Sequence, residues 1–305
     1  MAARPLLIAG PTASGKSALA LAVAERDGGM VINADASQVY ACWRVLTARP
    51  ADDELARAPH RLYGHVPCGV RHSTGAWLRD VAAALDEARG LGLRPIVVGG
   101  TGLYFGALTE GLADIPEIPV EVRARSMALL ADGRVDEMRA ELARDDPETY
   151  GRIDRENPMR VQRAWDVLRA TGRGLAAWHR ATAAPLVAPG DAERVVVEPE
   201  IAWLNERIED RFHLMIEDGA LDEARAVLDA GLDPALPAAR VLGAPQLMAC
   251  LRGEMPLERA IAESVTATRQ YAKRQRTWMR NRMGDWPRVA PGPGALDAVA
   301  GAPGR

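Results

Sequence analysis

Residues 10–17 read Gly-Pro-Thr-Ala-Ser-Gly-Lys-Ser, with the apolar run 6–9 directly before them and an Ala/Leu-rich stretch, 15–26, after them. Strand, glycine loop and helix in that order turn backbone N–H groups inward beside the positive end of a helix, an arrangement that holds phosphate. The candidate phosphate ligands are Gly10, Pro11, Thr12, Ala13, Ser14, Gly15, Lys16 and Ser17. Lys16 supplies a full charge, and Ser17 a hydroxyl able to ligate Mg2+ between phosphate oxygens. The loop specifies a phosphate group, not a nucleotide. Lys16 carries a second mark, because only it and Lys273 are lysines among 38 basic residues. A chain that uses arginine almost everywhere keeps lysine where a compact ammonium is required.

Further strands are predicted at 31–35, 62–66 and 95–98, with helices at 15–26 and 75–89. Alternation of this kind implies an α/β fold, a P-loop NTPase-like parallel sheet with flanking helices, whose ligands sit beyond the carboxyl ends of the strands. From residue 115 to 190 the pattern changes to Arg-, Ala- and Glu-rich helices, entered at Pro116 and Pro119 and left at Pro185 and Pro189. We read this as a helical insertion in a discontinuous core, 1–114 and 191–286. Residues 195–197 resume the sheet, and helices follow at 203–218, 221–230 and 257–282. Gly, Pro and Ala dominate 287–305, a composition expected to stay loose.

A net charge of −3 provides no global basic field, so a nucleic-acid site would have to be a local patch. Cys42, Cys68 and Cys250 are scattered and odd in number, which implies no disulfide framework and a reducing compartment. No apolar run approaches the roughly 20 residues that span a bilayer. The start of the chain lacks a leader pattern. The expectation is a soluble cytoplasmic protein with no membrane partner.

Asp35 ends the second predicted strand, one strand from the loop. There it could accept a proton from a substrate, or simply cap a helix. The strand at 95–98 ends in Gly99-Gly100 instead of the acid usual in NTP-hydrolysing motors, which weakens that class. Arg207 and Arg211, four apart, share a helix face and could clamp a diphosphate, or lie solvated beside Glu209 and Asp210. From 269 to 282 there are six basic residues and no acid, with Tyr271 and Trp278 interleaved and Trp286 just beyond. Lys273 and Arg274 lie in this stretch, which points to nucleic acid. Cys68 and His72 have a metal-ligand spacing but no second pair, and His60, His65, His179 and His213 form no triad with a serine elbow.

Together these residues resemble the tRNA dimethylallyltransferases (tRNA isopentenyltransferases). The resemblance rests on the phosphate loop, on Asp35 with Gln38-Val39-Tyr40, on Thr47-Ala48-Arg49-Pro50 and on Pro59-His60-Arg61-Leu62. It continues through Gly99-Gly100-Thr101-Gly102-Leu103-Tyr104, Arg207-Ile208-Glu209-Asp210-Arg211-Phe212 and the segment 268–275, in family order. It implies transfer of a dimethylallyl group from dimethylallyl diphosphate to N6 of the adenosine just 3′ of a tRNA anticodon, in tRNAs reading codons that begin with U. By the same resemblance, the loop, Lys16, Mg2+ and Arg211 hold the diphosphate, Asp35 takes the N6 proton, and Thr101 completes the catalytic set. It also implies that tRNA is contacted by Asp35, Ala36, Ser37, Gln38, Thr101, Arg123, Met159, Arg160, Val161, Gln162 and Arg163. The insertion would then grip the anticodon stem-loop, with the enzyme a monomer. The chain departs from the family at Ala36, where Ser is usual, and at Ala41, Leu46, Arg49 and Ala244-Pro245. The rival readings are a small-molecule P-loop kinase, an adenylate prenyltransferase acting on free nucleotides, and a non-catalytic RNA-binding protein.

Overall fold

The structure, a computed structural model, describes residues 4–300. Two compact units divide the chain, one made of residues 1–109 and 187–305 and the other of residues 110–186.

The first unit opens with β1 (Leu6–Ala9), the phosphate loop and α1 (Lys16–Asp27). Next come β2 (Gly29–Asn33), α2 (Asp52–Arg57), β3 (His60–Arg61), α3 (Thr74–Gly90), β4 (Arg94–Gly99) and α4 (Gly102–Glu110). The second unit is helical throughout, with α5 (Val120–Ala131), α6 (Val135–Asp145), α7 (Pro147–Arg152), α8 (Pro158–Thr171) and α9 (Leu175–Arg180). The first unit then resumes with β5 (Glu193–Val197), α10 (Ile201–Glu217), α11 (Ala220–Asp229), α12 (Ala244–Leu251) and α13 (Leu257–Arg282). It closes with β6 (Arg288–Val289) and α14 (Gly294–Ala300).

All strand pairs are parallel, in the order β3-β2-β4-β1-β5-β6. Alternate side chains leave opposite faces of the strands. Leu7, Ile32 and Val97 pack on one face with Trp77, Phe105 and Met279. Leu6, Ile8, Val31 and Ile96 pack on the other with α1 and with Ala295 and Val299 of α14. Burying a side chain the size of Phe105 contributes about 1.5–3 kcal/mol. The sheet is therefore covered on both sides, and its exposed chemistry lies at the strand ends. A third cluster joins α10–α13 to the segment 39–46. The second unit has its own core around Met138, Leu142, Val161 and Trp165.

Three expectations need correction. The strand expected at 62–66 is shorter and earlier, because Leu62 (φ 67) and Gly64 (φ 60) take left-handed conformations that turn the chain out of the sheet. Only Val66 returns, as an isolated bridge to Tyr40. That bridge runs the two segments side by side, so Cys42 and Cys68 lie 6.0 Å apart at Cα and are joined by a disulfide. Cys250 is free. The tail expected to be loose carries β6, which pairs with β5, and α14, whose Ala295 and Val299 are buried against α1. Among the described residues, no helix is long and apolar enough to cross a membrane.

Candidate active site

The phosphate loop bends through two left-handed residues, Ala13 (φ 63) and Gly15 (φ 84), before α1 begins at Lys16. Gly10 packs so closely that an added Cβ would lie 2.6 Å from Ser14 Oγ. Ser14 Oγ is itself buried without a hydrogen-bond partner among the described residues, a donor left over for a ligand. Lys16 Nζ donates to Pro11 O at 3.2 Å. Arg211, on α10, reaches the loop and donates from Nη2 to Thr12 Oγ1 at 2.6 Å. It is thus not a solvated surface residue. Burial pushes the Lys16 ammonium down to about 8; the Asp35 charge opposes this and Arg211 adds to it. Burial likewise lowers Arg211 to about 10, again opposed by Asp35. Two cations forced this close together prefer an anion between them.

Asp35 stands just past β2, on a turn fixed from three sides. Asn33 is buried; its Oδ1 accepts from Asp35 N at 2.8 Å and its Nδ2 donates to Asp35 O and Leu62 O, each at 3.0 Å. Thr101 Oγ1 accepts from Ala36 N at 2.9 Å. Asp35 Oδ1 accepts from Ser37 N at 3.0 Å and Ser37 Oγ at 2.6 Å. The short polar side chains around the turn hold the carboxylate in a single direction. Gln38 faces inward instead, with Nε2 donating to Thr47 O and Ala48 O at 2.9 Å.

Loop, acid and arginines meet in one cleft of about 310 Å³. Its polar end is lined by Thr12, Lys16, Ser17, Asp35, Arg207 and Arg211, and its apolar wall includes Leu46, Phe212, Met215 and Val241. A volume of this size suits a small ligand with a charged head and an apolar tail. Thr101 does not line the cleft; it acts on the Asp35 turn from behind.

Residues assigned no such role from the sequence complete the frame. Gln275 of α13, buried, accepts at Oε1 from Thr12 N at 2.8 Å and donates from Nε2 to Gly100 O at 2.9 Å. It ties the phosphate loop to the end of β4. Tyr271 lines the cleft one turn earlier; burial, then the Asp35 charge, raise its phenol, which hydrogen-bonds Thr101 and Gln275. Glu223 gathers the backbone N–H groups of Arg44, Val45 and Leu46 onto its carboxylate, fixing the loop that brings Leu46 to the apolar wall. Helical spacing was the available signal: Thr268, Tyr271 and Gln275 share one face of α13.

Of the three aromatic side chains on α13 and just beyond it, two pack against the fold and one meets the cleft. Trp286 is buried edge-on to Phe105, Trp278 covers Gly102, and Tyr271 faces the cleft. Lys273, Arg274 and Arg280 are exposed, whereas Arg269 pairs with Glu209 at 2.6 Å. In the second unit, Arg123, Met159, Arg160 and Arg163 are exposed on their helices. Val161 and Gln162 are buried, Val161 in the core and Gln162 with Nε2 donating to Ser126 Oγ at 2.9 Å. The helical period therefore removes these two side chains from the expected tRNA-contacting set.

The IPP transferase family model matches residues 38–282, and an isopentenyl transferase model matches residues 4–65. The chain is 62% identical over 283 residues to a tRNA dimethylallyltransferase of Cereibacter sphaeroides, covering 93% of this chain and 88% of the relative. It is 58% identical to the tRNA dimethylallyltransferase of Dinoroseobacter shibae, covering 95% of each. Among solved structures it resembles the tRNA isopentenylpyrophosphate transferase of Bacillus halodurans, with a TM-score of 0.68, 26% identity and coverage of 97% and 98%. It also resembles a eukaryotic dimethylallyltransferase captured acting on tRNA, with a TM-score of 0.81, 26% identity and coverage of 97% and 75%. By the family model over residues 38–282 and these relatives, the chain belongs to the IPP transferase family.

Proposed function

We propose that the chain transfers a dimethylallyl group from dimethylallyl diphosphate to N6 of the adenosine just 3′ of the anticodon, in tRNAs that read codons beginning with U. The observation that carries this reading is the single cleft in which Asp35 faces Lys16, Arg211 and the phosphate loop. The relatives' names and the family point to the same reaction.

In this scheme the N6 lone pair attacks C1 of the prenyl chain as the C1–O bond to diphosphate breaks. Asp35 accepts the N6 proton, and diphosphate leaves with the bonding electrons. Lys16, Arg211 and the loop N–H groups oppose the charge that grows on the leaving oxygen. Leu46, Phe212, Met215 and Val241 offer the prenyl group an apolar wall. The adenine has to leave its stack to reach Asp35. Ser17, exposed in the first turn of α1, is the residue that would hold Mg2+. Among the described residues no cluster of three His, Cys or carboxylate ligands stands beside Ser17, and Mg2+ commonly takes most of its ligands from water and substrate phosphates. When bound, the ion neutralises phosphate charge.

Arg123, Met159, Arg160 and Arg163 form the face proposed to grip the anticodon stem-loop, and Lys273 and Arg274 add positive charge on the other unit. We read the enzyme as a working monomer. The absence of an acid at Gly99-Gly100 argues against an NTP-hydrolysing motor, and the basic C-terminal helix and long helical insertion argue against a small-molecule kinase. The test supplies dimethylallyl diphosphate and Mg2+ with either unmodified tRNA or AMP, followed by nucleoside mass spectrometry. Isopentenyladenosine is expected in tRNA alone. Product on AMP with none on tRNA would reassign the enzyme to the adenylate prenyltransferases.

A further inference from the structure

We propose that His65, His72 and Asp80 form a binding site for one divalent transition-metal ion of the Zn2+ class, outside the prenyl-transfer cleft. His65 and His72 lie on the segment between β3 and α3, and Asp80 lies in the second turn of α3. Two features of the local fold bring them together. The Val66–Tyr40 bridge fixes the chain beside His65. The Ser73 cap, whose Oγ accepts from Ala76 N at 3.1 Å, starts α3 directly after His72. Asp80 follows that cap by two helical turns and so returns to the same side of the helix.

The donor atoms converge on one point. His65 Nε2 and His72 Nε2 lie 3.1 Å and 2.9 Å from the same oxygen, Asp80 Oδ2. All three donor atoms fall within 4.8 Å of one another, and the two rings stand at 89°. In a tetrahedral zinc site with ligand bonds of 2.0–2.1 Å, neighbouring ligand atoms are separated by about 3.3 Å. The two nitrogen-to-oxygen separations are within a few tenths of an ångström of that value, so metal entry would be a local adjustment of side chains already gathered. Two imidazoles and one carboxylate suit Zn2+ and are a poor match for Mg2+ or Ca2+, which take oxygen ligands.

Exposure is graded across the cluster. The His72 side chain is 7% exposed, His65 29% and Asp80 36%. The buried histidine anchors the site, and the open side leaves a fourth position to water. Arg71, the nearest cation in sequence to His72, is directed away and donates to Ala235 O at 3.0 Å. Two hydrogen bonds to Asp80 account for the Nε2 contacts without a metal, and that is the alternative to be tested. The convergence of both rings on one carboxylate oxygen, with an open face beside it, favours an ion. Its effect would be to pin the segment 62–72 to α3. That segment carries Tyr63, which lines the cleft, so the ion would stiffen the cleft rim without touching substrate.

The test uses the full chain, stripped of metal, in excess Mg2+ to occupy the phosphate loop, and titrates Co2+ as a visible-spectrum probe. One equivalent is expected to bind, with the intense bands of a four-coordinate ion and no thiolate charge-transfer band, and Zn2+ should displace it. His65→Ala, at a partly exposed position, and Asp80→Asn should each weaken Co2+ binding by about 100-fold or more. Cys250→Ser should leave it unchanged. Failure of the wild-type chain to bind Co2+ stoichiometrically, a thiolate band, or full affinity in His65→Ala would each overturn the proposal.

Discussion

Arg211 Nη2 donates to Thr12 Oγ1 at 2.6 Å, linking a helix of the second half of the chain to a loop 199 residues earlier. The contact turns the phosphate loop from a generic anion cradle into one with a second cation placed opposite Lys16. Arg211→Ala should lower kcat by about 100- to 1,000-fold, the usual cost of losing one charged group that faces a leaving group. Arg211→Lys should recover only part of this, since a point charge does not reproduce the planar fork. Steady-state kinetics on tRNA decides the matter; near-wild-type turnover in Arg211→Ala would remove the residue from the leaving-group site.

Lys16 gives a prediction with a definite sign. Burial lowers its pKa from 10.5 to about 8, so the unfolded chain binds more protons than the folded chain between those values. This group's contribution makes stability rise with pH through that window. At pH 7 the charge is present at a cost to the unliganded fold, and diphosphate relieves that cost. Lys16→Met should therefore raise the thermal midpoint of the unliganded protein while abolishing the further rise caused by added diphosphate. Wild-type affinity for diphosphate should weaken as pH climbs above about 8. Thermal scans with and without diphosphate from pH 6.5 to 9.5 report both effects; pH-independent binding would contradict the assignment.

Asp35 and Asn33 should separate into chemistry and positioning. Asp35→Asn keeps size and hydrogen bonding but removes the base, and should cut transfer by about 100-fold or more with tRNA affinity nearly intact. Asn33→Ala removes the partner of Asp35 N and of the Leu62 carbonyl, each worth about 1–3 kcal/mol, while the Asp35 carbonyl keeps Gln38 N. It should lower both the thermal midpoint and kcat. A variant of Asn33 that is fully stable but inactive would mean that Asn33 acts on substrate directly.

Gln275 is predicted to matter as much as a residue of the loop itself. Its side chain is the shared partner of Thr12 N and Gly100 O. Gln275→Ala should destabilise the first unit by about 1–3 kcal/mol and weaken diphosphate binding, because the loop N–H it orients is released. Unchanged diphosphate affinity, measured by calorimetry, would show that the loop holds its shape without α13.

The loop and Asp35 were legible because each is contiguous in sequence and flanked by a strand with its own pattern. Gln275, Glu223 and Asn33 act through contacts that exist only after the chain closes, and Gln275 lies 263 residues from its partner Thr12. The basic stretch of α13 was legible only in part, for a related reason. Charge composition marks a surface, but only the helical period shows that Tyr271, Gln275 and Trp278 turn inward while Lys273 and Arg274 turn out. The same period buries Val161 and Gln162 within a run of exposed neighbours. Cys42 and Cys68 gave no sign of pairing because the bridge that aligns them joins a loop to a strand exit. In the tail, Gly and Pro concealed Ala295 and Val299, whose small apolar side chains suffice to cover α1.

The central claim is that the loop holds a diphosphate destined to leave, not a nucleotide destined to be cleaved. Its most direct test measures the phosphorus products during a reaction with dimethylallyl diphosphate, ATP, Mg2+ and unmodified tRNA. Diphosphate should appear in one-to-one ratio with isopentenyladenosine in the tRNA, with ATP left intact. Orthophosphate or ADP formed from ATP, without matching diphosphate release and prenylated tRNA, would contradict it.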